Sequence, residues 1–254
     1  EAYSKYQLEH EDDVLKPGSG FALVKALLKL NELSTDRLVE VIIMSRNSAD
    51  TSLRIFHSIE HYGLDISRAV LSGGATLSNY LEAFQVDLFL SANEDDVELA
   101  INSGFASGRI YTNTIGGYDA FADIDQIRIA FDGDAVLFSD DSEKIFQEQG
   151  LEAFVKNEKV NARNNLSAEA FDGNHSPIRT ALVTARNAPA HERVIRTLRA
   201  WNVRIDEAFF LGGITKKDVL KAFHPHIFFD DQATHALPAS EVVPSAQVPY
   251  KNKD

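Results

Sequence analysis

The chain contains two versions of one pattern, and that duplication limits it to folds that can be assembled from two similar halves. From Val41 it reads VIIMSRNSAD and then, from Arg68, RAVLSGGATLSNYLEAFQVDLFLSANEDD. From Thr180 it reads TALVTARNAP and then, from Glu207, EAFFLGGITKKDVLKAFHPHIFFDDQAT. The pairs Arg46-Asn47 and Arg186-Asn187, Gly73-Gly74 and Gly212-Gly213, and Ala83-Phe84 and Ala222-Phe223 fall in register with one single-residue gap. The chemistry does not repeat. Thr184, Lys216, Asp230 and Asp231 stand opposite Met44, Leu77, Ser91 and Ala92, so a hydroxyl, a cation and two carboxylates are confined to the second copy. A repeat this long exceeds a solenoid unit and predicts two similar lobes.

The repeat also reaches backwards. EAYSKY at Glu1–Tyr6 echoes EAFVKN at Glu152–Asn157. In the second copy that helix follows a strand and turn, IRIAFDGDAVLFSDDSE, so the matching strand of the first copy is expected ahead of Glu1.

Short apolar runs rich in β-branched and aromatic residues alternate with helical patterns. Strands are expected at Val39–Met44, Ala69–Leu71, Val86–Leu90, Arg109–Thr112, Ile127–Phe131, Arg179–Val183, Ala208–Leu211 and His226–Phe229. Helices are expected at Phe21–Asn31, Ser52–Tyr62, Ser78–Phe84, Asp95–Asn102, Ser142–Gln149, Ala190–Trp201 and Lys217–Phe223. The apolar runs are continuous, which suits strands covered on both faces of a parallel sheet. Strand–helix alternation then gives right-handed βαβ units and a doubly wound α/β fold. Such sheets bind ligands at the carboxyl ends of their strands. The polar, Asn-rich stretch Asn157–His175 reads as a small inserted cap or as a linker.

With 254 residues, 44% of them hydrophobic, the chain can bury one large core or two modest ones. Its net charge of −13 argues against nucleic-acid polymers, because there is no basic stripe to displace phosphate counterions. A small phosphate ester remains compatible if a metal neutralises it locally. The absence of cysteine rules out disulfides and thiolate metal sites and fits a reducing compartment. No apolar run approaches the ~20 residues that span a bilayer.

Asp132-Gly133-Asp134 follows the IRIAF run, and a sharp turn at Gly133 would let both carboxylates converge on one ligand. Asp-Gly is also an ordinary turn pair. Asp230-Asp231 follows HIFF, and adjacent carboxylates at a buried strand end repel unless a cation is present. Mg²⁺ among Asp132, Asp134 and Asp230 would remove that cost with oxygen ligands alone. Thr184 ends the RTALV run, where a hydroxyl and backbone N–H groups can hold a phosphoryl oxygen. Lys216 and Lys217 open a helix against its macrodipole, which hints at an anion held there. Each feature has an ordinary explanation as a turn, a strand residue or a solvated helix end. His57 and His61 share a helix face, but no third ligand accompanies them. Arg193, Arg196 and Arg199 read as a solvated stripe.

Taken together, DxD, Thr, Lys and DD in this order resemble the haloacid-dehalogenase-like (HAD-like) phosphatases. IAFDGDAVLFSD, PIRTALVTARNAP, LGGITKKDVL and HIFFDDQ resemble the type I cytosolic 5′-nucleotidase family within them, over nearly the whole chain. The resemblance implies an internally duplicated, Rossmann-like α/β fold with a small cap. Residues 1–126 would form a degenerate copy and 127–254 the catalytic copy, with the cap or insert at about 140–178. It also implies a Mg²⁺-dependent cytoplasmic enzyme that hydrolyses nucleoside 5′-monophosphates through an aspartyl-phosphate. Asp132 would be the nucleophile, and Asp134 the general acid and then base. Thr184, Ala185, Arg186 and Lys216 would hold the phosphoryl group. Asp230, Asp132 and the backbone carbonyl of Asp134 would ligate the metal, and Asp231 would support or complete that shell. Arg46 and Asn47 of the first copy could hold the nucleoside or an effector nucleotide, or persist as turns the fold requires. Whether the chain forms a homo-oligomer is left open. Two other readings stand beside this one: a HAD-type phosphatase for another small phosphate ester, and a non-catalytic nucleotide-binding sensor. Retention of both Asp132 and Asp134 argues against the sensor, which needs no acid/base partner.

Overall fold

The structure, a computed structural model, describes residues 2–112, 119–122, 124–133, 136, 176–185 and 190–249. The chain forms two compact units, the first built mainly from residues up to Thr112 and the second from Asp123 onward.

In the first unit, helices α1 (Ala2–Glu9) and α2 (Phe21–Lys29) precede strand β1 (Ile42–Ser45). Helix α3 (Leu53–His61), β2 (Arg68–Leu71), α4 (Ser78–Leu81), β3 (Leu88–Ser91), α5 (Glu94–Asn102) and β4 (Ala106–Ile110) follow. β1 pairs in parallel with β2, and β3 with β4. Val70, Leu77, Leu81, Phe89 and Ala100 form its core, with Met44, Tyr80 and Phe84 packed against them.

The second unit contains β5 (Ile127–Phe131), β6 (Ile178–Thr184), α6 (Ala190–Ala200) and β7 (Glu207–Phe210). It closes with α7 (Lys216–Phe223), β8 (Ile227–Asp230), α8 (Ala233–Ala239) and β9 (Ser245–Gln247). Its strands lie side by side in the order β9-β8-β5-β6-β7, and β5 pairs in parallel with β6 and β8, β6 with β7, and β8 with β9. Alternate residues of β6 explain the layering. Ala181 and Val183 pack with Leu220 and Phe223 of α7 and Ala239 of α8, whereas Leu182 packs with Val194 and Leu198 of α6. Helices therefore cover both faces of the sheet, which is why β6 reads as one continuous apolar run. This is a Rossmann-like α/β arrangement, as the residue pattern implied.

Most strand bounds shift by one or two residues from the sequence expectation. Thr184 and Asp230 turn out to be the last residues inside their strands. α8 was not anticipated because its seven residues carry Pro238. β9 was missed because it is only Ser-Ala-Gln between prolines. The expected helix at Ser142–Gln149 and most of the cap lie outside the described residues.

Strand register corrects one part of the alignment between copies. Met44 pairs with Val70 and Ser45 with Leu71, while Val183 pairs with Phe209 and Thr184 with Phe210. Val70 and Phe209 each stand three residues before their Gly-Gly pair. The turn hydrogen bonds match as well. Ser72 N donates to Ser45 O and Gly74 N to Arg46 O; Leu211 N donates to Thr184 O and Gly213 N to Ala185 O. Ser45, not Met44, is thus the counterpart of Thr184, and the single-residue gap falls after the strand. The first copy has kept its hydroxyl and lost only the lysine and the carboxylates. Both turns need left-handed backbone, with φ of 60° and 99° at Gly73 and Gly74 and 59° and 89° at Gly212 and Gly213. Glycine is retained there because a Cβ would be strained.

Candidate active site

The second unit gathers its acids at the ends of two adjacent parallel strands, β5 and β8, with Thr184 at the end of a third, β6. Asp132 immediately follows β5, with its N–H donating to Phe229 O of β8 at 2.7 Å. Asp230 ends β8 and Asp231 follows it. Thr184 ends β6 on the other side of β5 and is buried. Asp132, Asp230 and Asp231 are all buried, and one carboxylate oxygen from each lies within 4.8 Å of the others.

Helix α7 supplies the opposing charge. Thr215 caps it by accepting from Lys217 N, so Lys216 takes the first helical position. From there Lys216 Nζ donates to Asp132 Oδ1 and to Asp230 Oδ2, each at 2.6 Å. The side chain is 5% exposed, and its ammonium lies 5.5 Å from the centre of the Phe228 ring. Lys217 points elsewhere, pairing with Glu241 at the surface. Burial lifts the Asp230 carboxyl above its ordinary range, while Lys216 and the N–H of Gln232 oppose the rise.

Two oxygens bound to one Mg²⁺ at about 2.1 Å can be no more than about 4.2 Å apart. Little movement separates the three carboxylates from that spacing. An all-oxygen, anionic donor set suits a hard divalent cation. Among the described residues, these three acids form the one cluster able to hold a metal ion. His57 is engaged with Glu11 O at 2.8 Å. Asp134 and Arg186 lie outside the described residues.

The 5′-nucleotidase family model matches residues 1–254 of the chain. The chain belongs to the 5′-nucleotidase family. A human relative, cytosolic 5′-nucleotidase 1B, is 39% identical over 261 residues, covering 92% of this chain and 42% of the relative. The chain thus spans less than half the length of that 5′-nucleotidase. No solved structure matches the chain.

The first unit closes the equivalent places differently. Leu77, the counterpart of Lys216, is 3% exposed in an apolar cluster. Arg46 Nε donates to Asp96 Oδ1 at 2.9 Å, and its Nη2 bonds the same oxygen. Asp96 is buried in the first turn of α5, where an acid suits the helix dipole and Asn93 caps its N–H. Asn47 donates to the Tyr3 hydroxyl at 2.8 Å. These contacts occupy the polar groups that sequence offered as nucleotide ligands.

Lys216→Met leaves Asp132 and Asp230 buried without their cation. It should cost on the order of 3–5 kcal/mol of unfolding free energy in chelator, with part restored by Mg²⁺. The sign of the pH effect follows from Asp230. Where pH lies between the ordinary carboxylate range and the raised value, the folded state binds more protons than the unfolded chain. The Asp230 contribution is therefore complete below the ordinary carboxylate range and lost as pH rises through the raised value. Urea unfolding in chelator across that range should show the loss, more steeply in the variant. Arg46→Ala strands the Asp96 carboxylate. It should lower stability by about 1–3 kcal/mol with kcat and KM unchanged. Unchanged stability with a raised KM would return Arg46 to nucleotide binding.

Proposed function

We propose that the second unit hydrolyses nucleoside 5′-monophosphates to nucleoside and phosphate, with Mg²⁺ as cofactor and Asp132 as nucleophile. The observation that carries this reading is the buried lysine bridging two strand-end aspartates beside a third. It agrees with membership of the 5′-nucleotidase family. Asp132 and Asp230 would hold the ion with Asp231 supporting or completing the shell, joined by the backbone carbonyl of Asp134 as the family resemblance implies. When bound, Mg²⁺ offsets negative charge on the phosphoryl oxygens and the carboxylates.

An oxygen of Asp132 attacks phosphorus, and the bond from phosphorus to the 5′ oxygen breaks. Asp134 passes its proton to that oxygen, releasing the nucleoside. A water then gives a proton back to Asp134 as it attacks phosphorus, which frees the Asp132 carboxylate and inorganic phosphate. Lys216 has two tasks. Its ammonium donates to the buried Asp132 carboxylate and lies where it can reach the transferring phosphoryl oxygens. Thr184 and the backbone N–H groups after β6, at Ala185 and Arg186, bind the same oxygens. The carboxyl ends of β5, β6 and β8 form the kind of crevice in which parallel α/β sheets take ligands. The first unit, without lysine or acids at these places, is a silent copy in this reading. A cytoplasmic location belongs to the same proposal, because the human relative is named cytosolic. Among the described residues, no helix is long and apolar enough to cross a membrane.

Asp132→Asn should keep the fold and reduce Mg²⁺-dependent phosphate release from nucleoside monophosphates on the order of 10⁴-fold or more. Phosphate release assays with circular dichroism as the folding control check it. Turnover near the wild-type rate would remove Asp132 from the nucleophile's role.

A further inference from the structure

We propose that His235 is a positioning residue that fixes the Asp230 carboxylate for the divalent cation; this rests on the metal-dependent reading above. His235 is the third residue of α8, the helix that starts directly after Asp230-Asp231-Gln232. Its N–H donates to Gln232 O at 3.0 Å, which turns the side chain back toward the strand end. Nδ1 lies 3.6 Å from Asp230 Oδ1. That nitrogen is buried and has no hydrogen-bond partner among the described residues. A buried ring nitrogen without a partner is unfavourable, because it has given up water without gaining a hydrogen bond. A shift of roughly 0.5 Å would bring it to hydrogen-bonding distance of Oδ1.

The two oxygens of Asp230 are already differentiated. Oδ1 accepts the Gln232 N–H at 2.9 Å, and Oδ2 faces Lys216. A second donor on Oδ1, from the tautomer with its proton on Nδ1, stops rotation about the bond to the carboxyl group. Oδ2 is then held toward the ion. Hydrogen bonds to a ligating carboxylate serve this purpose at many metal centres.

The two copies provide an internal comparison. Counting from the strand end, Ser91 corresponds to Asp230 and Asp96 to His235, and the helices α5 and α8 begin at matching residues. Where the strand ends in serine, the helix presents an aspartate that pairs with Arg46. Where it ends in aspartate, the helix presents an imidazole. A second carboxylate there would repel Asp230, whereas an N–H donor supports it. The His235 side chain is 37% exposed, so packing does not account for this residue.

The test is Mg²⁺ affinity by calorimetry for wild type, His235→Ala and His235→Asn, with melting temperature in chelator as the control for folding. The asparagine amide nitrogen can occupy the place of Nδ1. His235→Ala should weaken Mg²⁺ binding about 10- to 100-fold, with melting in chelator little changed, and His235→Asn should recover most of it. The midpoint of Mg²⁺ activation should move in parallel, while nucleotide KM at saturating Mg²⁺ stays put. Wild-type affinity in the alanine variant would overturn the proposal, as would equal weakening in both variants. A wild-type protein that binds no Mg²⁺ would overturn the metal-dependent reading itself, and His235's role with it.

Discussion

A lysine ammonium held between two buried aspartates is the contact on which the second unit's active end depends. Three carboxylates at neighbouring strand ends would repel one another strongly in a site removed from water. Lys216 makes the arrangement tenable by meeting Asp132 and Asp230 at once, over the face of Phe228. Its position follows from the fold: the β7–α7 turn passes through Gly212 and Gly213, Thr215 caps the helix, and the first helical side chain enters the acid cluster. The same cation that lowers the cost of burial stands beside the proposed nucleophile. In the proposed reaction, stability of the metal-free protein and catalytic competence therefore share one side chain.

The first unit shows what the same framework does without that charge cluster. Its strand register and turn hydrogen bonds reproduce those of the second, residue for residue. Leu77 replaces the buried lysine and joins the core, and Ser91 and Ala92 replace the carboxylates. Its remaining buried acid, Asp96, is matched by Arg46. Apolar packing and one ion pair thus do the work that a bridged acid cluster does in the other copy. Divergence at a few strand-end positions is enough to separate a bridged acid cluster from an apolar end.

Much of this was legible in the residues. Continuous apolar runs such as Arg179–Val183 located parallel strands because both faces of β6 are covered. Asp132, Asp230 and Asp231 stood out because acids directly after such runs must be met by something positive. The off-by-one at Met44 and Ser45 arose because a single-residue gap can be placed before or after the strand end at no cost in a pattern match. Only pairing partners decide it, since a one-residue slip turns every side chain to the other face. His235 escaped notice because its significance lies in a fold-back across the start of a short helix, and Pro238 hid that helix. The Asp-His difference at matching positions of the two copies was the one available signal. Asp134 and Arg186 lie outside the described residues, and their roles stand on family resemblance.

In the proposed reaction Asp132 receives the phosphoryl group within the acid cluster of the second unit. A crystal structure of the protein with Mg²⁺ and beryllofluoride, which mimics a phosphorylated carboxylate, tests it most directly. Beryllium should be joined to an Asp132 carboxylate oxygen, with Lys216 turned toward the fluorides and Asp230 and Asp231 around the ion. Beryllofluoride seated on another residue, or a Mg²⁺ ion bound away from Asp132 and Asp230, would contradict it.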